Sequence, residues 1–196
     1  NSPTATAAKS VSYNKITASW NSVSGATKYY RDFYNKGANA TDLIISEYVE
    51  VSSYSKAIEL YNGTGSSIDL SIYSLKKQTN GAGDFGNELT LSGTLANGDT
   101  YVIVSNAGTP NLAGNSYVDL ATNSQALNFN GNDAVALYKN GTQIDVVGVV
   151  NQTTNWGEDV TLVRNSSVIS PTTTYNTEQW TSYTCLLYTS PSPRDS

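Results

Sequence analysis

Histidine is absent from this 196-residue chain. With it go the Ser-His-Asp triad, the Cys-His pair, the His-based zinc site and the His general base. Carboxylate chemistry stays open, as does an oxygen-liganded ion such as calcium. Methionine is absent too, and the chain opens at Asn1, so a fragment or processed product is expected rather than a complete reading frame. No apolar run reaches the ~18–20 residues of a membrane-spanning helix, so no membrane span is expected. The N-terminus carries no signal-peptide pattern. The one cysteine, Cys185, provides no disulfide framework from which a redox compartment could be argued. Charged residues make up only 14% of the chain, and Asn, Ser, Thr, Gly and Tyr take their place. That balance suits a secreted all-β protein with many turns and with aromatic and β-branched strands.

What is present is punctuation. Asn-Gly occurs at Asn62-Gly63, Asn80-Gly81, Asn97-Gly98, Asn130-Gly131 and Asn140-Gly141. The last pair lies between AVALYK and TQIDVV, which predicts a two-residue hairpin, because a type I′ turn needs φ > 0 at both central residues. Short strands are predicted over Leu43–Val49, Ala57–Tyr61, Tyr73–Lys77, Glu88–Leu91, Thr100–Ser105, Ala134–Lys139, Thr142–Val150 and Val160–Val163. Alternation points Ile45, Ile58, Leu60, Leu75, Val102, Val104, Val135, Leu137, Ile144, Val146 and Leu162 inward. No helix-length amphipathic period appears, and the spacing favours a sandwich over an α/β layout. Charge divides the chain: residues 1–41 hold five basic side chains against Asp32, a net of +4, whereas residues 42–184 hold five basic against fourteen acidic, a net of −9.

Five blocks, in order, carry a resemblance: LIISEYVE (Leu43–Glu50), KAIELYNGTGSSIDLSIYSLKK (Lys56–Lys77), LSGTLANGDTYVIVS (Leu91–Ser105), FNGNDAVALYKNGTQIDVVG (Phe129–Gly148) and TLVRNSSV (Thr161–Val168). Together they resemble a bacterial lamin tail domain. The resemblance implies an all-β, immunoglobulin-like antiparallel β-sandwich over residues 42–184 that is not itself an enzyme. Two departures from the family pattern stand out. Ile72 occupies the place of an expected Gly in LSIYSL, and a β-branched residue there resists φ > 0. After Gln179–Tyr183 the family's further strand is missing, so an open sheet edge that lowers stability and invites aggregation is expected. Residues 1–41, with Trp20 followed by a VSG turn and ATKYY, resemble the opening strands of a fibronectin type III domain, too short to bury a core alone. Cys185–Ser196, CLLYTSPSPRDS, resembles a translated transposase-type sequencing adapter. On that reading Cys185 is not native and the authentic chain stops near Thr184; the alternative is a natural disordered tail rich in Ser and Pro.

The candidate sites are few. Glu47, Glu50 and Glu59 fall near adjacent strands, where two carboxylates could converge as a catalytic or metal pair; structural roles in SEY and IELYN are favoured. Asp133 and Asp145 read as turn-capping residues of the central hairpin. Calcium is the one ion entertained, at NFNGND (Asn128–Asp133) or GDFGNE (Gly83–Glu88), although neither matches the D-x-[DN]-x-[DN]-G loop. Polar loop chemistry accounts for both without an ion, so no cofactor and no metal ligand are assigned. Tyr48, Tyr54, Trp156 and Tyr175 are the aromatics not plainly inward, and of these Trp156 and Tyr54 are the candidate contact residues. Sequons at Asn39, Asn62, Asn140, Asn151 and Asn165 are expected by chance in so Asn- and Thr-rich a chain.

The combined reading is a non-catalytic binding or tethering module of a secreted or surface-attached bacterial multidomain protein. By resemblance, its neighbours are an extracellular hydrolase or nuclease and fibronectin-type repeats. Its expected partners are other domains of its parent and a protein or polysaccharide ligand; the −9 charge argues against nucleic acid. A carbohydrate-binding module is the first alternative and a carboxylate-based hydrolase the second.

Overall fold

The structure, a computed structural model, describes residues 5–12, 15–20, 39–51, 54–107 and 112–184. The chain divides into two compact units, Asn1–Asn35 and Lys36–Ser196. In the first unit, β1 (Ala5–Ser12) and β2 (Lys15–Trp20) pair antiparallel, with Ser12 opposite Lys15 and Ala5 opposite Trp20. The ATKYY stretch of the fibronectin-like segment lies outside the described residues, as does the Cys185–Ser196 tail.

The second unit is built from β3 (Ile44–Glu50), β4 (Lys56–Tyr61), β5 (Ile68–Asp69), β6 (Tyr73–Gln78), β7 (Gly86–Thr90), β8 (Thr94–Leu95), β9 (Thr100–Ser105), β10 (Leu120–Thr122), β11 (Ala134–Lys139), β12 (Thr142–Val147), β13 (Val160–Arg164) and β14 (Trp180–Tyr183). These form a six-stranded sheet in the order β10-β9-β4-β3-β13-β14, a four-stranded sheet in the order β12-β11-β6-β7, and a small β5-β8 ladder. Among the described residues there is no α-helix, only short 3₁₀ turns. The sheets face each other across one core in which Ile45, Tyr48, Ile58, Leu60, Ile103 and Leu162 meet Tyr73, Leu75, Val135, Leu137 and Val147. This is the predicted antiparallel β-sandwich, with one exception: the short edge strand β10 runs parallel to β9.

The Asn140-Gly141 hairpin forms as its chemistry requires. The two residues alone join β11 to β12, at φ of 49° and 78°, the left-handed region that Asn and Gly tolerate best. Elsewhere the boundaries move. The strand expected over Glu88–Leu91 begins earlier, at Gly86, and the one expected to reach Val150 stops at Val147. There Gly148 takes φ of 100° and turns the chain beneath Trp156. Ile72 sits in a 3₁₀ turn, Leu70–Ile72, on the surface, so the Gly-to-Ile departure is met by a turn that needs no positive φ. The Gln179–Tyr183 motif itself supplies β14 at the sheet edge; the residues past Thr184 lie outside the described ones.

Three of the predicted inward assignments are corrected. Val102 and Val104 lie on the outer face of the six-stranded sheet with Val49, Ala57 and Leu112, while Tyr101 and Ile103 turn inward. Alternation fixes which residues share a face but not which face is the core, and here the segment around Leu112–Val118 covers the second face as well. Val146 likewise packs outward, with Ala134 and Ala136. A bulge causes this: Leu137 pairs with Asp145 but Tyr138 with Gln143, so Ile144 is the extra residue, left half-buried against the core margin. Cross-strand partners share a face, so Asp145 opposite the core residue Leu137 is carried into the interior. Tyr48, not plainly inward by its sequence context, is also fully buried, stacked on Phe129 at 4.8 Å between ring centroids.

Asp145 is therefore not a turn cap. It meets Arg164, and both side chains are completely shielded from solvent. The carboxylate also accepts the Ile45 N–H at 2.8 Å and the Thr172 N–H at 2.9 Å. The guanidinium donates to the Ile45 carbonyl and to Gln179 Oε1, and lies over the Trp180 ring at 5.0 Å. Burial pushes the Asp145 carboxyl above the usual range, while Arg164 and the two backbone N–H groups pull it back. A second clamp joins the sheets where Asp42 accepts from the Leu43 N–H, the Tyr73 hydroxyl and Lys139 Nζ. Burial pushes the Asp42 carboxyl up, but these donors outweigh it and hold it below the usual carboxylate range. Lys139 is raised above its usual range, chiefly by its bond to Asp42. Burial and then Asp42 push the Tyr73 phenol up to about 12.

Both clamps can be tested by substitution. Arg164→Met strands a buried carboxylate, so urea unfolding should show a loss of about 3–5 kcal/mol, and the Asp145→Asn/Arg164→Met pair should cost less than the two single changes summed. A loss too small to resolve would show that the pair is dispensable. For the second clamp, a carboxyl lowered on folding stabilises above its ordinary value and loses that contribution as pH falls through the folded one. A lysine raised on folding stabilises below its ordinary value and loses that contribution as pH rises through the folded one. Asp42→Asn should then cost about 1–2 kcal/mol near pH 7, with the deficit vanishing in acid once wild-type Asp42 is itself protonated. Unfolding curves across that range check the sign.

Candidate functional site

Asn62 comes directly after β4 and is fully buried, although its Asn-Gly context reads as an exposed turn. Its amide donates to the carbonyls of Ser66, Leu95 and Ala96 at 2.9–3.1 Å. Its Oδ1 accepts from Thr64 N–H and Oγ1, an Asx turn. Its backbone bonds twice more, accepting from Gly98 N–H and donating to the Asp99 carbonyl. One interior residue thus pins the 95–99 turn, its side chain holding Leu95 and Ala96 and its backbone Gly98 and Asp99, with Gly98 at φ of 90°. Across from it, Asp119 brackets Val102: its N–H donates to the Val102 carbonyl and its Oδ2 accepts the Val102 N–H at 2.8 Å. The preceding loop is held by Asn115, whose N–H and side-chain amide both donate to the Leu112 carbonyl.

Between these two walls lies an open polar cleft of about 620 Å³, within the ~300–1,000 Å³ usual for small-ligand sites. Three segments line it: residues 92–96, residues 98–101, and Ser116, Tyr117 and Asp119. No lysine or arginine is among the lining residues. Burial, then the Asp119 carboxylate, raises the Tyr101 phenol above its usual range, and burial raises that of Tyr117. The cleft therefore presents neutral hydroxyls as donors, carboxylates as acceptors, two phenol rings and a local negative charge.

Neither Trp156 nor Tyr54 lines it. Trp156 is half-buried in a column of rings, 5.4 Å from Tyr48 and 5.7 Å from Tyr175. Its indole fills the space above Gly148, where a Cβ would sit 2.1 Å from the ring. Tyr175, half-buried, continues the column to Trp180. Tyr54 stands exposed in the β3-β4 connection at φ of 63°.

Of the three glutamates, the structure brings Glu47 and Glu59 together as direct cross-strand partners. Both are buried on the outer face, Glu59 accepts from Ser46 Oγ, and neither lines the cleft. Glu50 goes elsewhere, pairing with Lys56 and accepting the Asp159 N–H. Asp133 does cap its turn, accepting from Asn80 and Asn130 N–H groups and from Lys77. In the other calcium candidate, Glu88 bonds Ser74 and pairs with Lys76. Among the described residues no three acidic side chains gather around a common point.

Sequence reasoning missed the cleft, because its residues are ordinary surface types. The available signal was the Asx pattern Asn62-Gly63-Thr64 ahead of the Asn97-Gly98 turn. Asn62→Ala removes the side-chain contacts and leaves the Leu95 carbonyl buried without them; a loss of about 2–4 kcal/mol is expected. Amide exchange at Gly98 and Asp99 should accelerate beyond the global change, and protection unchanged at those amides would refute the pinning role.

No curated protein matches the chain. The family model described as Lamin Tail Domain matches residues 36–151, more than half of the sequence. That span begins where the second compact unit begins and takes in β3 through β12. With its sheets, core and central hairpin in this arrangement, the chain belongs to the lamin tail domain family, an immunoglobulin-like β-sandwich of non-enzymatic type.

Proposed function

We propose that this protein is a binding and tethering module of a secreted or surface-attached bacterial multidomain protein, holding an adjoining extracellular hydrolase or nuclease at its place of work. The observation that carries the reading is how the charged side chains are spent. Asp145 with Arg164, Lys77 with Asp133, Lys56 with Glu50 and Asp42 with Lys139 all join parts of the scaffold, while the open cleft is lined by polar groups and holds no lysine or arginine. A rigid frame with a preformed open surface is what a tether needs, since little ordering entropy is spent on contact. The fibronectin type III-like character of residues 1–41 supports a multidomain setting. With Cys185–Ser196 read as adapter, the authentic part of this segment runs to about Thr184.

Hydrolysis by paired carboxylates is the weaker reading, because Glu47 and Glu59 are 4% and 2% exposed and do not open onto the cleft. Among the described residues no helix is long and apolar enough to cross a membrane. The −9 charge of residues 42–184 opposes approach to a polyanion, and Lys76-Lys77 is their one adjacent basic pair.

The test fuses the whole chain to a carrier enzyme and measures retention on isolated bacterial envelopes against the carrier alone. Retention severalfold above the carrier is expected, with no measurable binding to labelled duplex DNA at physiological salt. Equal wash-off of fusion and carrier would sink the tether. Micromolar DNA binding that weakens with salt would overturn the charge argument.

A further inference from the structure

We infer that the cleft between the 92–101 and 116–119 segments binds a neutral polysaccharide chain; this names the ligand class and rests on the tethering reading. Charge makes the first selection. Asp99 and Asp119 are the carboxylates of the lining, and no lysine or arginine is among the lining residues. An anionic ligand would meet uncompensated repulsion, so phosphorylated and uronic acid polymers are disfavoured. Hydrogen bonding makes the second. Asp99 is exposed, and Asp119 commits Oδ2 to the Val102 N–H. Each carboxylate thus keeps acceptor sites that neighbouring hydroxyls of a sugar ring can fill. Ser92, Thr94, Thr100 and Ser116 supply hydroxyls that both donate and accept, matching the mixed donors and acceptors around a pyranose.

Shape makes the third selection. Gly93 and Gly98 lie at φ of 97° and 90° with no atom within 4 Å of where a side chain would begin. The cleft wall is therefore low, and a broad, flat chain can approach the backbone. Tyr101, half-buried with its side chain packed against the main core, lines the cleft beside the carboxylates and adds apolar surface to its polar rim. A peptide would need either a free strand edge or a deep apolar pocket. The neighbouring edge strand β10 is three residues long, and Leu95, the aliphatic side chain of the lining larger than alanine, is itself 5% exposed. Lysine-rich peptides would gain only solvent-exposed ion pairs, which contribute little. The pinned Asn62 turn adds preorganisation, because the cleft has its form before any ligand arrives.

The experiment uses the full chain, labelled with ¹⁵N, in EDTA, titrated with neutral hexasaccharides built on glucose, xylose and N-acetylglucosamine. At least one series should shift the amides of residues 92–101 and 116–119 in the millimolar range or below. Asp99→Ala, at an exposed side chain, should weaken that binding about tenfold, the effect of one charge-assisted hydrogen bond. Tyr101→Phe keeps the packed ring and should weaken it about threefold. Silence of the cleft amides toward all three sugars at millimolar concentration would overturn the inference. So would shifts centred elsewhere, an Asp99→Ala variant that binds as wild type, or a tetralysine peptide that binds the cleft more tightly than any sugar. The tether is judged separately: if envelope retention survives enzymatic removal of the polysaccharide, tethering stands on protein contacts and only the glycan assignment fails.

Discussion

The sandwich depends on a charge pair in a place where charge is costly. Transferring a carboxylate and a guanidinium out of water carries a desolvation penalty of several kcal/mol each, and their attraction repays it only when the remaining polar atoms find partners. Around Asp145 and Arg164 most of those partners come from segments the fold must join: the backbone of Ile45 on β3, Thr172 in the strap before β14, and Gln179 at its threshold, while the buried Arg164 Nε has no hydrogen-bond partner among the described residues. The pair reads the arrangement of four separate segments at once. Apolar contact alone tolerates small slips of one sheet over the other; this pair tolerates few, because any slip leaves a buried donor or acceptor bare. The Asp42 clamp repeats the device with Tyr73 and Lys139, and a column of rings from Phe129 through Tyr48, Trp156 and Tyr175 to Trp180 packs along the interior.

That frame explains why the accessible chemistry lies at an edge. Both faces of the six-stranded sheet are packed, one against the main core and the other beneath the segment holding Leu112 and Tyr117. Over its central strands the sheet is therefore open to contact chiefly where strands end and connections begin. The Asn62 side chain makes such a connection rigid, and a rigid connection over a packed sheet is a surface that can select. The acidic residues divide accordingly, into those that tie strands together and those left facing water beside the turns.

Much of this was legible in the sequence and some was not, for identifiable reasons. The Asn140-Gly141 hairpin was certain from two residues, because its turn chemistry is local. Ile58, Leu60, Leu75 and Leu137 declared themselves by alternation. Val102 and Val104 did not, since a strand packed on both faces presents hydrophobic residues at every position. Asp145 was hidden by the bulge at Ile144: one inserted residue reverses the alternation, so the pattern shows a surface aspartate where the chain has placed an interior one. The anchoring role of Asn62 was not legible, because Asn-Gly signals a turn whether the asparagine faces water or holds the turn from within. The glutamates were placed near one another correctly, but pairing register alone distinguishes Glu47 opposite Glu59 from Glu50 opposite Lys56.

The short strands at the margins have a consequence for how such a module lives among copies of itself. β10 offers three residues to any passing chain and runs parallel to its neighbour, and β7 is interrupted by Asn87 at φ of 51°. Strand-to-strand fusion grows from long, flat, regular borders that present an unbroken row of backbone donors and acceptors. At β10 and β7 the border is brief or crooked, so neighbouring copies find no long seam to extend along those two edges. At high local concentration, that irregular outline disfavours the joining of one copy to the next along β10 or β7.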